Sequence, residues 1–554
     1  MLAVSRRHLW GHNVAPARRR LTVLMQDLYG SSIRFFANDV DRQTASGLED
    51  LQRVAVVGSG PSGFYFARYL LKEHPTVQVD LLESLPSPFG LIRTGVAPDH
   101  EEVKHVTNDF DATVEESNGR LHFVGNVTVG EDISMDELRS MYNAVVLAAG
   151  AQGDRKLGIP GENLDGCVHA RRFVNWYNGH PHFANAITPK MLDCETAIVI
   201  GQGNVALDCA RVLCKSPEEL QPTDIATHAL ETLKKSKIKR VVVAGRRGHV
   251  QGAFTMKELR EVTRLQNAVF ELDPEEVERG MTPASVEETK TQRVPGRMNK
   301  LFQKQVKEQL KRDGGADTHK RAISMRFLVS PVKIIGASGD ACPRGHVSAV
   351  QFQRNKLEGE AGQQRAVADE TLGIEEIPCG LVLSSIGYKS EPIDGVPFDP
   401  KAAVVPNMNG KVVGDDAEGL YVTGWMKRGP SGIVGTNIPD AKDTLDTLLH
   451  DARNGKVPSI RNTDYVEASP GEAVKHKVQA RRRHHEVDLA RELLAEEPDE
   501  DQLNKLLVFG WNQWKEVDAT EQSRGQEVGK PRDKIVSTAE MLAIANKQLH
   551  KTNK

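Results

Sequence analysis

Short apolar runs alternate with helix-like segments in two separate stretches of the chain. In each stretch, a run of mainly apolar residues precedes a segment whose apolar positions recur at helical spacing. The strand-like runs are Val54–Val57, Val77–Leu82, Ala144–Ala148, Thr196–Ile200 and Val241–Ala244, and the helix-like segments are Phe64–Lys72 and Asn204–Cys214. Such runs are typical of parallel strands that helices cover on both faces. The pattern predicts an α/β protein.

A glycine-rich turn follows the first strand of each stretch. The first turn reads Gly58-Ser59-Gly60-Pro61-Ser62-Gly63, and the second reads Gly201-Gln202-Gly203-Asn204-Val205-Ala206. In a G-x-G-x-x-G/A turn, the first glycine permits the tight bend and the second lets the backbone approach a pyrophosphate. The N–H groups of the following helix then face the phosphate charge. Two Rossmann-like dinucleotide-binding domains are therefore predicted.

The residue at the end of the next strand differs between the two turns. Glu83 lies twenty residues beyond Gly63, where a carboxylate accepts the ribose hydroxyls of an unphosphorylated adenosine. In the second stretch, Arg246 and Arg247 follow Gly245, and two guanidiniums offer donors to a 2′-phosphate. The first turn is accordingly predicted to bind FAD and the second NADPH.

The second dinucleotide unit is expected to be inserted into the first. The strand-like run Leu381–Ser385 is expected to return the chain to the FAD domain, and a helix is expected after Gly435 through about Leu449. The predicted divisions are 1–49, a transit peptide or disordered N-terminus; 50–150, the first part of the FAD domain; 151–380, the NADP domain; 381–465, the second part of the FAD domain; 466–505, a charged insertion that resembles an exposed helix or linker; and 506–554, a C-terminal segment packing on the FAD domain.

The N-terminal composition predicts mitochondrial targeting. The first 38 residues contain Arg6, Arg7, Arg18, Arg19, Arg20 and Arg34 against one acid, Asp27. Interspersed apolar and basic residues are typical of a transit peptide, although a plain disordered basic terminus is the alternative. The whole chain has a formal net charge of −3, which gives no indication of nucleic-acid binding. No apolar run approaches the roughly 18 residues that span a bilayer.

The cysteines argue against a disulfide reductase. Cys209 and Cys214 form the only close pair, and five helical residues correspond to about 140° of rotation, so their side chains point apart. They resemble small core residues. The spacing of the six cysteines also predicts no structural metal site and no iron–sulfur cluster within this chain. If electrons leave the protein one at a time, the acceptor must therefore be a separate protein.

Longer motifs are more specific than the glycine turns. They are Pro88–Arg93 with Gly95–His100, Gly201–Asp208, Gly424–Gly432 and the C-terminal stretch Trp514–Lys534. On these motifs the chain resembles the adrenodoxin reductase family, the mitochondrial-type NADPH:ferredoxin reductases, over about residues 50–465 and again near the C-terminus. The resemblance implies hydride transfer from NADPH to FAD, followed by single-electron transfer to an acidic [2Fe–2S] ferredoxin. It also implies a mitochondrial matrix location, and it allows peripheral association with the inner membrane.

The resemblance also suggests site residues. FAD contacts are expected at Ser62, Glu83, Leu91, Val127, Trp425, Gly432, Ile433 and Val434. NADPH contacts are expected at Gln202, Gly203, Asn204, Val205, Arg246, Arg247, Glu258 and Gly432. The helix that begins near Gly432 is expected to direct its N–H groups at the flavin ring. The segment containing Lys290, Arg293, Arg297 and Lys300 resembles the family's docking segment.

His100 and Asp208 are candidates for proton handling or nicotinamide positioning, whereas no nucleophile is expected. The alternative for His100 is a loop histidine satisfied by the backbone. Two departures from the family pattern stand out. Ser62 replaces the alanine of mammalian members, where a backbone contact is expected, and Ile433–Asn437 is nearer to the bacterial members.

Two alternatives to the oxidoreductase remain at this stage. A glutamate-synthase-like electron-input module would normally carry an N-terminal cysteine cluster, which this sequence lacks. A redox-inactive dinucleotide-binding or assembly protein would bind FAD without being bleached by NADPH.

Overall fold

The computed structural model describes residues 47–312, 321–337, 345–462, 472–482 and 508–552. Almost all of the predicted targeting segment therefore lies outside the described residues. The strands are β1 Arg53–Val57, β2 Gln78–Glu83, β3 Leu121–Gly125, β4 Ala144–Leu147, β5 Gly153–Asp154, β6 Cys167–His169, β7 Thr196–Ile200, β8 Arg240–Ala244, β9 Ala268–Leu272, β10 Arg321–Arg326, β11 Val329–Ala337, β12 His346–Glu358, β13 Arg365–Ala368, β14 Ile374–Pro378, β15 Leu381–Ser384, β16 Tyr388–Lys389, β17 Asn407–Met408, β18 Lys411–Val412 and β19 Leu420–Val422.

The helices follow the predicted alternation with the strands. They are α1 Pro61–Glu73, α2 Leu91–Thr94, α3 Glu101–Lys104, α4 Val106–Glu116, α5 Met135–Met141, α6 Ala170–Tyr177, α7 Asn204–Cys214, α8 Pro217–Leu220, α9 Thr227–Lys234, α10 Met256–Val262, α11 Pro274–Arg279, α12 Pro283–Thr291, α13 Arg293–Arg312, α14 Trp425–Arg428, α15 Asn437–Arg453, α16 at 472–482, α17 Trp511–Glu527 and α18 Thr538–Thr552. No helix among the described residues has the length and hydropathy needed to cross a membrane.

Two sheets form the centres of two domains. The first has the order β17-β18-β19-β4-β1-β2-β3, in which β19, β4, β1, β2 and β3 are parallel. The second has the order β6-β15-β7-β8-β10-β9 and is parallel throughout. Because β6 to β15 lie between β4 and β17 in the chain, the second domain is inserted into the first. The predicted α/β class and the insertion are confirmed.

The prediction for the strand at Leu381–Ser385 is wrong. β15 pairs in parallel with β6 and β7 in the second sheet, so the chain returns to the first sheet only with β17, at Asn407. A four-residue apolar strand fits the middle of either parallel sheet, because both of its faces are buried wherever it inserts. The predicted division at residue 380 therefore falls inside the second domain.

A smaller antiparallel sheet covers one side of the second domain. β12 pairs with β11, β13 and β14, and its buried residues Val350 and Phe352 pack with Ile198 and Val242 of the parallel sheet. On the opposite side of that sheet, α7 contributes Cys209 and Cys214 to a large apolar core. Both thiols are buried, as predicted for core residues.

The charged segment 466–505 is described only over helix α16, at 472–482. The structure differs here from the predicted exposed helix or linker, since Ala473, Val474 and Val478 are buried in the core of the first domain. Arg481 forms an ion pair of 2.6 Å with Glu137. The apolar positions recur at helical spacing within a charge-dense stretch, and the charges obscured that spacing in the sequence.

The C-terminal segment contacts both domains. Phe509 pairs with Gly125 at the edge of β3, and Trp514 packs on Phe89 with ring centroids 5.9 Å apart. Further along, Lys530 Nζ donates to the carbonyl oxygen of Ile225 in the second domain at 2.6 Å. The segment therefore joins the two domains at their boundary.

Glu521 is the buried centre of this C-terminal segment. Its carboxylate is 0 % exposed and accepts hydrogen bonds of 2.9 and 2.5 Å from the guanidinium of Arg93, with Arg532 at 3.3 Å. Burial alone raises the pKa of the Glu521 carboxyl, but Arg93 and Arg532 together hold it below its usual range. The ion pair thus contributes stability above the ordinary pKa of glutamate, and this contribution is lost as the pH falls through the lowered value.

Replacing Glu521 with glutamine is expected to lower the free energy of unfolding at pH 7 by about 3–5 kcal/mol, because Arg93 stays buried without its counter-charge. Urea unfolding measures this loss. The matched control is Glu540→Gln, which removes a pair with Arg524 in which both side chains are 43 % exposed and which should cost less than about 1 kcal/mol. Equal losses in the two variants would contradict the account of Glu521.

Candidate dinucleotide and electron-transfer site

The first glycine turn is built for a close ligand. Gly58 has φ +112°, and a Cβ there would lie 2.5 Å from the carbonyl oxygen of Ala148. A Cβ on Gly63 would lie 2.0 Å from the oxygen of Gly58, whereas one on Gly60 would meet nothing within 4 Å. Packing thus requires glycine at positions 58 and 63, whereas Gly60 faces the open side of the turn. Helix α1 starts there without a side-chain cap, so its first N–H groups can bind phosphate.

Glu83 lies directly beside this turn. Its Oε2 accepts hydrogen bonds from the N–H and the hydroxyl of Ser59, at 3.1 and 2.7 Å. The N–H of Val127 donates to the carbonyl oxygen of Glu83 at 2.9 Å, and the N–H of Phe89 donates to that of Ser59 at 3.0 Å. Leu91 begins α2 two residues later. The structure therefore places Glu83, Leu91 and Val127 around the first turn.

Ser62 has a structural partner. Its hydroxyl donates to Asn437 Oδ1 at 2.9 Å, and a Cβ on Gly424 would lie 2.2 Å from the same hydroxyl. The hydroxyl proton of Ser62 is therefore used within the protein. These contacts pack the start of α15 against α1, so the Gly432–Val434 loop lies close to the first turn. Ile433 in that loop is 64 % exposed.

Trp425 is held from two sides. Its ring stacks on Tyr388 with centroids 5.7 Å apart and planes at 24°, and its Nε1 donates to the carbonyl oxygen of Ser431 at 3.2 Å. Only Met426 is buried in α14, so Trp425 stays accessible at its surface. An accessible, fixed aromatic plane next to a glycine loop fits the edge of a flavin ring.

The second glycine turn repeats the first. Gly201 has φ +132°, and its Cβ would lie 2.1 Å from the oxygen of Ser385, whereas a Cβ on Gly203 would meet nothing within 4 Å. Helix α7 also lacks a side-chain cap. The side chain of Gln202 donates to the carbonyl oxygen of Arg326 at 3.0 Å, and Asn204 Oδ1 accepts from the N–H of Thr255 at 2.8 Å. These two side chains are used within the protein, so the backbone from Gln202 through half-buried Val205 offers the contacts to a pyrophosphate.

Arg246 and Arg247 lie where β8 ends. Arg246 is exposed and Arg247 is half-buried. Within the described part of the chain, neither guanidinium forms an ion pair or a hydrogen bond. Two guanidiniums without a protein counter-charge, beside an uncapped helix N-terminus, fit a ligand that carries an additional phosphate.

His100, Asp208 and Glu258 meet around a buried guanidinium, that of Arg211. Arg211 is 1 % exposed and binds Asp99 at 2.7 Å, Asp208 at 2.7 Å and Glu258 at 3.4 Å. His100 Nε2 lies 2.7 Å from Glu261 Oε2 and 3.7 Å from Glu258 Oε2. The backbone-satisfied alternative for this ring nitrogen is therefore wrong, because its partner is a carboxylate. The cluster joins Asp99 and His100 of the first domain to α7 and α10 of the second.

The carboxyls of this cluster differ in proton affinity. Burial raises the pKa of Asp208, and burial together with the charge of Asp208 raises that of Glu258. Burial also acts to raise the pKa of Asp99, but Arg211 and Lys215 hold it well below its usual range. Asp99 thus stays ionised as the counter-charge of Arg211, whereas Asp208 and Glu258 are easier to protonate than exposed carboxyls.

Sequence reasoning missed Arg211, Glu261 and Tyr388. A signal for Arg211 was present, because it is the one basic residue in a mainly apolar helix and lies three positions after Asp208. Glu261 and Tyr388 carry no such signal, since their roles depend on packing between distant segments.

The fold and these two turns define a class of proteins that hold two dinucleotides in adjoining Rossmann-like domains. Comparison with known proteins supports this class. A family model described as pyridine nucleotide-disulphide oxidoreductase matches residues 52–241. The mitochondrial NADPH:adrenodoxin oxidoreductase of Homo sapiens is 42% identical over 503 residues, covering 90% of this chain and 92% of the relative. That of Arabidopsis thaliana is 40% identical over 513 residues, covering 91% and 98%.

A bacterial relative is similar to the same extent. NADPH-ferredoxin reductase FprA of Mycobacterium tuberculosis is 40% identical over 496 residues, covering 89% of this chain and 98% of the relative. The solved structure of FprA in complex with NADPH superimposes with a TM-score of 0.76 at 38% identity, covering 89% of this chain and 99% of that one. The chain belongs to the NADPH:adrenodoxin oxidoreductase family.

Removing the charge of Arg211 in an Arg211→Gln variant is expected to destabilise the protein in a pH-dependent way. Without the guanidinium, the surrounding carboxylates repel one another and their pKa values rise, so protonation at low pH relieves the repulsion. The loss of stability should be about 3–5 kcal/mol at pH 8 and clearly smaller at pH 5.5. Unfolding measured at both pH values tests this. The control Arg240→Gln breaks an exposed pair with Glu271 and should cost little at either pH; a pH-independent loss in Arg211→Gln would be inconsistent with the account.

Proposed function

We propose that the protein is an FAD-dependent NADPH:ferredoxin oxidoreductase in which the first domain binds FAD and the inserted domain binds NADPH. One observation carries this assignment: equivalent strand ends hold opposite charges, Glu83 in the first domain and Arg246 with Arg247 in the second. A carboxylate favours free ribose hydroxyls and repels a phosphate, whereas two guanidiniums favour a 2′-phosphate. Membership of the NADPH:adrenodoxin oxidoreductase family supports the same assignment.

FAD held in the first domain would supply the capacity to accept two electrons from NADPH and to release them singly. The protein supplies binding, orientation and charge. The uncapped N-termini of α1 and α7 bind the two pyrophosphates, and the start of α15 stabilises negative charge near the Gly432–Val434 loop. Trp425, fixed against Tyr388, limits where an aromatic ring can lie. Burial raises the pKa of Asp208 and of Glu258 near the domain boundary, which suits both carboxyls to exchanging a proton there.

The proposed contacts are those that the resemblance to the NADPH:adrenodoxin oxidoreductase family implies. For FAD they are Ser62, Glu83, Leu91, Val127, Trp425, Gly432, Ile433 and Val434. For NADPH they are Gln202, Gly203, Asn204, Val205, Arg246, Arg247, Glu258 and Gly432. His100 and Asp208 act as positioning or proton-holding groups; the hydrogen bond between His100 Nε2 and Glu261 Oε2 supports this role.

The partner is proposed to be an acidic [2Fe–2S] ferredoxin that binds helices α12 and α13. Lys290, Arg293, Arg297 and Lys300 are all exposed. The exposed face of α13 continues with Lys304, Lys307 and Lys311, at the spacing of one helical side. Only one acid, Glu308, lies in this helix, and it pairs with Lys304 at 3.5 Å. A basic stripe on a protein with a net negative charge suits an acidic partner.

The proposed location is the mitochondrial matrix. The human and Arabidopsis relatives are named mitochondrial, whereas FprA is bacterial. The six arginines and single acid of the first 38 residues support the mitochondrial alternative for this chain. The location can be tested by fusing residues 1–49 to a fluorescent protein.

The overall activity is tested by mixing the FAD-loaded protein, NADPH and a [2Fe–2S] ferredoxin without oxygen. The proposal requires the ferredoxin absorbance to change to that of the reduced form only when all three components are present. A redox-inactive dinucleotide-binding protein would leave the ferredoxin oxidised.

Replacing both Arg246 and Arg247 with alanine is expected to reverse the cofactor preference. The two guanidiniums interact with the 2′-phosphate alone, so the KM for NADPH should rise at least about 100-fold, as expected for loss of charge-assisted hydrogen bonds from two groups. The KM for NADH should change little. Steady-state reduction of ferricyanide with each nucleotide measures both values, and a parallel rise for both would argue against the assignment.

Reversing two charges of the basic stripe, with Arg297→Glu and Lys300→Glu, is expected to raise the KM for ferredoxin about tenfold or more at low salt. NADPH–ferricyanide turnover should stay unchanged, because it bypasses the docking surface. The control pair Lys237→Glu and Lys239→Glu lies in the same domain, with the two lysines 68% and 70% exposed. If the control pair raises the KM as much as the test pair, the docking surface is not on α13.

A further inference from the structure

The backbone that carries Arg246 and Arg247 is held by hydrogen bonds from the segment linking β10 to β11. The N–H of Gly245 donates to the carbonyl oxygen of Arg326 at 3.0 Å, and the N–H of Val329 donates to the carbonyl oxygen of Gly245 at 3.0 Å. The N–H of Leu328 donates to the carbonyl oxygen of Arg247 at 3.1 Å. Backbone donors thus fix the peptides on both sides of the arginine pair, whatever side chains those donors carry.

The carbonyl of Arg246, which lies between those of Gly245 and Arg247, has a different kind of partner. Arg246 O accepts a hydrogen bond of 3.0 Å from the side-chain amide of Asn355, in β12 of the antiparallel sheet. This carbonyl belongs to the peptide that joins Arg246 to Arg247, so its direction sets the relative orientation of the two Cα–Cβ bonds. Among the described contacts of these three carbonyls, it is the one made by a side chain. Its geometry therefore depends on the identity of residue 355.

Asn355 is itself tightly held. It is 3 % exposed, and its amide also donates to Ser330 Oγ at 2.8 Å. Its N–H donates to the carbonyl oxygen of Leu328 at 2.7 Å, and its own carbonyl oxygen accepts from Arg279 at 2.8 Å. Leu328, buried between these bonds, has a left-handed backbone with φ +57°, which a leucine adopts only where the surroundings enforce it.

We propose that Asn355 is a positioning residue that determines specificity for a 2′-phosphorylated adenosine by fixing the peptide between Arg246 and Arg247. Two guanidiniums bind one phosphate strongly only if both converge on it, and a peptide free to rotate would separate them. Asn355 acts through the arginines and does not itself touch the nucleotide. The inference rests on the proposed function, which places the 2′-phosphate at these arginines.

The test is binding of 2′,5′-ADP and of 5′-AMP to the FAD-loaded protein, measured by isothermal titration calorimetry. In Asn355→Leu, a similar volume replaces the amide and Arg246 O loses its donor. The dissociation constant for 2′,5′-ADP should rise about tenfold, the size expected for one lost buried hydrogen bond. That for 5′-AMP should change less than about twofold, because the pyrophosphate-binding turn is untouched. Asn355→Ser, too short to reach Arg246 O, should give the same selective loss if the leucine variant does not fold.

The matched control is Asn143→Leu. Asn143 is 4 % exposed in the first domain, where its Oδ1 accepts from the N–H groups of Gln52 and Arg53 and its amide donates to Pro458 O. The Asn143→Leu substitution removes an equally buried side chain that hydrogen-bonds to the backbone, but in the other domain from the arginines. The ratio of the two dissociation constants should therefore stay at the wild-type value. If Asn355 had a purely structural role, or if its replacement destabilised the protein generally, the binding of 2′,5′-ADP and of 5′-AMP would weaken to the same extent. An equal loss for the two ligands would overturn the inference.

The same measurement separates this inference from the proposed function. If the Arg246→Ala and Arg247→Ala double variant retains the preference for 2′,5′-ADP, the assignment of the arginines fails. If the double variant loses the preference but Asn355→Leu keeps it, the assignment stands and only the role of Asn355 is wrong.

Discussion

Arg211 lies where acidic groups from both domains converge, and its single buried charge makes that convergence possible. Asp99 reaches it from the first domain, and Asp208 and Glu258 reach it from the second. Without a cation, these largely buried carboxylates would repel one another. Transfer between two bound cofactors depends on their proximity and relative orientation. Arg211 and its partners help to fix the relative orientation of the two domains. This orientation is therefore part of the function.

The C-terminal segment secures the same boundary from another direction. Glu521 binds Arg93, which lies in the short helix that begins with Leu91 beside the first glycine turn. Lys534, 5 % exposed, binds Asp224 of the inserted domain at 2.8 Å. A segment remote in sequence thus connects the loop near the proposed FAD site to the NADPH domain. Buried ion pairs suit this task, because a change in domain orientation would leave charges unpaired.

Much of the fold and part of the candidate site were predictable from local signals. The glycine turns, the strand-end residues Glu83, Arg246 and Arg247, and the helix Asn204–Cys214 depend on short-range sequence patterns, and the structure contains the corresponding elements. The placement of Leu381–Ser384 and the clamp by Asn355 depend on which distant segments pair. The sequence periodicity does not indicate which distant segment will be the partner. An apolar strand or a buried asparagine shows the same local pattern in either domain.

We propose that one chain holds two different dinucleotides, one without a 2′-phosphate at Glu83 and one with a 2′-phosphate at the arginine pair, and that electrons pass between them. An anaerobic titration of the FAD-loaded protein with NADPH and, separately, with NADH tests it most directly. Full bleaching of the flavin absorbance is expected near one equivalent of NADPH, and little bleaching is expected with the same amount of NADH. A flavin that stays oxidised with NADPH, or that is bleached preferentially by NADH, would contradict it.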